Sequence, residues 1–181
     1  AVYTPNYVLN RSLKPYIADR PFDTIRLIYF GRVSESKNVD VVIKVAYELE
    51  KAGYKTSTTV IGGYTEAYKA KLEQTIKEYR LDNDKVQIIG QQPFDKICDA
   101  LQKVHFFVFP SQEKMEGHSN SLTEAMTFGV VPVVSTAGFN ASIVGNKELV
   151  VDSIDPMKYA RVIESVIEKN VWSEYSLAVY R

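Results

Sequence analysis

Two short loops hold the side chains best suited to chemistry. In Gly31-Arg-Val-Ser-Glu-Ser-Lys37 two cations stand five residues apart, near enough to converge on one anion. Arg32 offers a planar fork of donors there and Lys37 a compact point charge. In Glu116-Gly-His-Ser-Asn-Ser-Leu-Thr-Glu124 two carboxylates stand eight apart. Between them Gly117, His118, Ser119, Asn120 and Ser121 feed a helix start, whose unpaired backbone N–H groups and positive dipole end suit an anion such as a diphosphate. Each feature also has a plain structural reading. Arg32 and Lys37 are equally at home as solvated loop residues. Ser121-Leu-Thr-Glu124 fits a capping box with Ser121 at the N-cap and Glu124 at N3, which accounts for Glu124 by the helix start alone. Glu116 precedes the helix, so no cap accounts for it; it is either a solvated loop acid or an acceptor of sugar hydroxyls. His118 either donates to a phosphate or packs.

The elements that must position these loops follow from hydrophobic periodicity. Thr24 to Phe30 is β-rich and ends at Gly31, and Asn38 to Ala52 is helical by pattern, with Val42, Val45, Ala46 and Leu49 on one face and Gly53 as its stop. Thr56 to Ile61 repeats the strand and ends in Gly62-Gly63, before a second helical stripe of Tyr68, Leu72, Ile76 and Tyr79. Lys85 to Ile89 and His105 to Phe109 read as further strands around a short helix, Phe94 to Lys103. A helix from about Ser121 to Phe128 leads through Gly129 into strand Val131 to Ser135. A short strand at Glu148 to Val151, a helix opened by Asp155-Pro156 and running to about Lys169, and a last helix over 171–181 complete the chain. Strands that are nearly continuous in apolar residues are covered on both faces. Six of them alternating with helices predict an α/β fold, an open parallel sheet with helices on both faces. Such sheets bind ligands at the carboxyl ends of their strands, where both loops fall, as do Gly62-Gly63 and Gly90-Gln91-Gln92.

Composition closes off other classes. The 181 residues suffice for one domain with a sizeable core, and 22 basic residues balance 22 acidic ones, so no net field points to nucleic acid or to an acidic membrane surface. Cys98 is the sole cysteine, which excludes an internal disulfide, and with two scattered histidines it gives no metal-site spacing. No apolar run approaches the ~20 residues of a membrane span, and the first residues lack the pattern of a secretory signal. A cytoplasmic location is the expectation, or the inner face of a membrane for a longer parent. Pro5, Pro15 and Pro21 without periodicity read as a linker or arm over 1–23, ahead of a main domain over 24–170 and a closing helix over 171–181. The chain begins as if cut from something longer.

Phe30-Gly-Arg-Val-Ser-Glu-Ser-Lys37, Val60-Ile-Gly-Gly63, Val86-Gln-Ile-Ile-Gly90, Val108-Phe-Pro-Ser111 and Glu116-Gly…Glu124-Ala-Met…Gly129…Pro132-Val-Val134, in that order, resemble the donor-binding, C-terminal half of retaining GT-B glycosyltransferases of family 4. Thr4-Pro-Asn6 is similar to the segment joining the two halves in that family. The resemblance implies a Rossmann-like half of a GT-B fold and a nucleoside-diphosphate sugar of UDP or GDP type as donor, with neither a metal nor a cofactor. It also implies a saccharide or lipid-linked acceptor, bound by an N-terminal domain outside this sequence, without which the chain is expected to be inactive as a hexosyltransferase. Arg32 and Lys37 fall where the family holds the diphosphate and stabilises the leaving group. Glu116 falls on the carboxylate beside the transferred sugar, as nucleophile or as positioner, and Glu124 on the one that holds the ribose. Gly31 and the backbone of Gly117, His118, Ser119, Asn120 and Ser121 would border sugar and phosphates, and Gly90 and Gln91 the base. The chain departs from the pattern by about two extra residues between Ser111 and Glu116, which makes Glu113 a competitor for the first-glutamate role; His118 stands where an aromatic is usual and Thr127 where a small residue is common. A non-catalytic nucleotide-binding module of GT-B type, or a GT-B epimerase or phosphorylase, are the rival readings.

Overall fold

The computed structural model describes residues 20–82, 84–113 and 117–180. The strands β1 (Ile25–Phe30), β2 (Thr56–Ile61), β3 (Val86–Gly90), β4 (Phe106–Phe109), β5 (Val131–Ser135) and β6 (Val150–Val151) form one sheet in the order β3-β2-β1-β4-β5-β6. Every pairing is parallel. The helices are α1 (Val39–Lys51), α2 (Glu66–Glu78), α3 (Phe94–Leu101), α4 (Asn120–Thr127), α5 (Asn140–Val144), α6 (Pro156–Glu168) and α7 (Trp172–Tyr180). This is the expected α/β sheet. Its three unforeseen pieces, α5 and the 3-10 turns Glu35–Lys37 and Lys147–Leu149, span only five, three and three residues, too few for a periodic signal; the second turn takes up the first half of the strand expected over Glu148 to Val151.

Burial along the strands follows their place in the sheet. All residues of β4 and β5 are buried, whereas in the edge strand β3 only Val86 is buried and Gln87 and Ile89 are exposed, the alternation of a strand with one face left to solvent. In the centre, Tyr29, Phe107 and Phe109 stack along β1 and β4 with ring centroids 5.4 to 6.4 Å apart. Such offset aromatic contacts add ~1 kcal/mol each beyond area burial. Phe109 also carries the ammonium of Lys37 over its ring, 5.4 Å from the centroid, so the core extends directly under the first loop.

The far end of β4 has its own anchor. Buried Arg20, four residues ahead of the expected domain start, donates to the carbonyls of Gln102, Val104 and Phe128, which cap the ends of α3 and α4. Its guanidinium lies over the Trp172 ring at 5.7 Å, and the Trp172 indole donates to the His105 carbonyl at 3.1 Å. Arg20 and the closing helix therefore belong to one core. Residues 1–19, the larger part of the expected arm, lie outside the described residues.

At the cavity end, β1, β2 and β3 are drawn together by Gly31 N–H donating to Ile61 carbonyl (3.0 Å) and Gly62 N–H donating to Gly90 carbonyl (2.9 Å). Gly62 has φ 151, and a Cβ there would lie 1.7 Å from the Gly31 carbonyl oxygen. Only glycine allows that approach. Gly62→Ala is expected to destabilise the domain by ~3 kcal/mol, the scale of a forced backbone strain plus a clash; urea unfolding checks it, and an unchanged midpoint would refute the packing argument.

Candidate functional site

The chain winds outward through β1, β2 and β3, then returns to the other side of β1 to lay down β4, β5 and β6. At that reversal the loops after β1 and β4 diverge to opposite faces and leave a crevice. A cavity of about 630 Å³ opens there. Arg32 and Lys37 reach it from the β1–α1 loop, Gly62 and Gly63 form its floor beyond β2, and Gln91 and Gln92 close it beyond β3. The start of α4 supplies the opposite wall, with His118, Ser119, Asn120, Ser121 and Glu124.

The β1–α1 loop is tightly held. Tyr29 Oη donates to the Arg32 carbonyl at 2.6 Å, and Asn38, at φ 50, turns the chain from the 3-10 turn into α1 while its side-chain amide donates to the Pro110 carbonyl at 3.0 Å. Gln112 N–H donates to the Ser36 carbonyl at 3.1 Å. Lys37 is almost wholly buried, its side chain 9% exposed against 65% for Arg32. A buried ammonium needs a counter-charge. Glu113 provides it: one oxygen lies 2.8 Å from Lys37 Nζ while the other accepts from Arg32. The hydrogen bond from Lys37, helped by one from Ser36 and by the charges of Lys37 and Arg32, outweighs burial and holds the Glu113 carboxyl below its ordinary range.

The helix start differs from the expected one. Helix α4 begins at Asn120 with Ser119 as its N-cap, the Ser119 hydroxyl accepting from Leu122 N–H at 3.4 Å; the Ser121 hydroxyl turns to that of Ser119 at 3.0 Å. Ser121 is thus not the cap, and Glu124 is not at N3. A carboxylate two residues past N3 points to another side of the helix and cannot reach back to the cap N–H. The capping box therefore does not explain Glu124, which instead lines the cavity. Burial pushes its carboxyl above the ordinary value. His118 shares a hydrogen bond with Thr123 Oγ1 at 2.7 Å and is likewise held below its usual imidazole value by burial.

Of the residues singled out from sequence, Gly31, Arg32, Lys37, Gln91, Glu124 and His118 to Ser121 come together around this cavity. Gly90 sits one layer behind, its carbonyl held by Gly62, and Gly117 is exposed beside the cavity. Glu116 lies outside the described residues. Gln92, placed by sequence at a strand's carboxyl end, also lines the cavity, whereas Ile97 from α3 was not foreseen as a lining residue; its periodic position on a helix gave no signal of that role. Among the described residues no group of His, Cys, Asp and Glu is arranged to hold a metal ion, and no helix is long and apolar enough to cross a membrane. Cys98 sits half-buried on α3, where burial raises its thiol.

This fold recurs in solved structures. The Anabaena protein HepE, solved in complex with UDP, matches 87% of this chain and 43% of its own at 18% identity and a TM-score of 0.75. The pneumococcal O-GlcNAc transferase GtfA, in complex with UDP and GlcNAc, matches 89% of this chain and 32% of its own at 19% identity and a TM-score of 0.74. The C-terminal domain of the group 1 family glycosyl transferase LpcC from Francisella tularensis matches 96% of this chain and 90% of its own, at 22% identity and a TM-score of 0.74. The chain spans less than half the length of the first two. No curated protein matches it. The domain is thus of the Rossmann-like kind from which GT-B glycosyltransferases are built. Its family follows from the sequence: residues 17–178 match the model for glycosyl transferases group 1, and the chain belongs to that family.

The raised carboxyl of Glu124 carries a stability consequence. A folded-state value above the unfolded one favours the protonated form, so the group's stabilisation is present below the ordinary carboxylate range and is lost as pH rises through the raised folded value. Glu124→Gln should therefore melt higher than the parent at neutral pH, by no more than about 4 °C, the shift that ~1 kcal/mol gives in a chain of this size. The gap should close at acid pH. A gap independent of pH in thermal scans would refute the assignment.

Proposed function

We propose that the chain is the donor-binding half of a retaining family 4 glycosyltransferase, which moves a sugar from a nucleoside-diphosphate sugar of UDP or GDP type to a hydroxyl acceptor. The observation that carries the reading is the convergence of Arg32 and Lys37 on one cavity with the N-terminus of α4. In transfer, the bond between the sugar's anomeric carbon and the diphosphate oxygen breaks, the electron pair leaves with the diphosphate, and the acceptor oxygen bonds to that carbon as it loses its proton. Negative charge grows on the leaving oxygen. Arg32, Lys37 and the N–H groups at the start of α4 are preorganised donors for that charge, the arrangement that lowers such barriers most.

The remaining roles are proposed by position. Glu124, on the α4 wall, would accept from the ribose hydroxyls, and Gln91 and Gly90, beyond β3, would border the base. Glu116 would face the transferred sugar, as nucleophile or as positioner. Acceptor binding is assigned to an N-terminal domain, in keeping with a chain that spans 43% of HepE and 32% of GtfA. Alone, the chain should then bind nucleotide without sustaining transfer.

Calorimetry with UDP, GDP and ADP tests the reading. At least one diphosphate should bind, and Arg32→Ala and Lys37→Ala should each weaken it by ~10-fold or more, the loss of a charge-assisted contact to phosphate. If none of the three binds, the donor-site reading fails; full turnover by this chain alone would remove the assigned need for a second domain.

A further inference from the structure

We infer that Glu113 is a positioning residue for the diphosphate seat, its carboxylate holding Arg32 and Lys37 at a fixed separation from the side away from the cavity. The inference rests on the donor-site reading above and assigns to that site a residue outside its two loop motifs.

Both carboxylate oxygens are committed. One accepts from Arg32 Nη2 and, at 2.9 Å, from the Ser36 hydroxyl; the other lies 2.8 Å from Lys37 Nζ. The two cations line the 630 Å³ cavity, but Glu113 does not. It lines a separate cavity of about 390 Å³ beyond β4 and β5, with Ser111, Ser135 and Asp152. The carboxylate therefore grips the cations from behind rather than filling the space a diphosphate would take. Its own backbone is anchored, since Glu113 N–H donates to the Ser111 hydroxyl at 3.3 Å and the preceding N–H of Gln112 donates to the Ser36 carbonyl.

Two effects of this carboxylate oppose each other. Its negative charge lowers the local positive potential and so disfavours an anion. Its grip orders Arg32, a long side chain 65% exposed, whose rotamer freedom would otherwise be lost at the moment of binding. Around the exposed head of Arg32 the through-space repulsion is screened by water and salt, whereas two donors placed in advance act at contact distance. Ordering wins, and the net effect of Glu113 is tighter diphosphate binding.

Glu113→Gln keeps the shape and removes the charge that spans both cations. UDP should then bind ~10-fold more weakly, the effect of a misplaced charge-assisted contact. Uridine, followed by NMR titration, should bind unchanged because it has no phosphate. Glu113→Asp, too short to span both cations, should weaken UDP in the same direction. On an Arg32→Ala background the Glu113→Gln effect should shrink, because only the grip on Lys37 remains. Wild type that binds UDP beside a Glu113→Gln variant that binds it equally or more tightly overturns the inference, as does a parallel loss of uridine. Wild type that binds no diphosphate removes the donor-site reading and this inference with it.

Discussion

A parallel strand cannot follow its neighbour without a crossover, and a crossover helix must lie on one face of the sheet or the other. In this chain the side changes once, between β3 and β4. That single reversal separates the loops after β1 and β4 at their bases and brings them together at their tips. Everything proposed for the cavity depends on it. A strand order without the reversal would place Arg32 and Lys37 on one face and the start of α4 elsewhere, with the same residues and no site between them.

The tips are then fastened. Asn38 to Pro110, Gln112 to Ser36 and Glu113 to Ser36, Lys37 and Arg32 bind the two loops by backbone, amide, hydroxyl and charge together. Beneath them the aromatic column of Tyr29, Phe107 and Phe109 ends under the ammonium of Lys37. A cation placed over a ring face and against a carboxylate tolerates a depth of burial that neither partner alone would support. The polar site thus begins where the apolar core stops, with the Lys37 ammonium directly on the last ring of the column.

How much of this could be read from sequence depended on how local the cause was. Strands β4 and β5 are buried on both faces, so their unbroken apolar runs showed them plainly, and Gly31, Gly62 and Gly63 marked the strand ends that face the cavity. Arg32, Lys37 and Glu124 were legible as cavity residues because chain order on a parallel sheet fixes which loops share an edge. The helix cap was not. Three serine or asparagine residues in a row before Leu122 offer several registers, and the one adopted, Ser119, depends on how the preceding loop returns from β4. That two-residue shift removes the helix-cap reading of Glu124 and leaves the cavity wall. Arg20 was hidden for a similar reason: its three carbonyl partners lie 82 to 108 residues further along the chain, a pairing that local pattern does not encode.

The Arg20 to Trp172 contact has a mechanical meaning. Arg20 precedes β1 and Trp172 opens the last helix, with 5.7 Å between guanidinium and ring. Both touch the His105 end of β4, whose other end carries Phe109 and the loop to Glu113. Arg20 and the start of α7 are thus pinned to the same end of β4, and a strain on either would be carried along one strand toward the loop that holds Glu113.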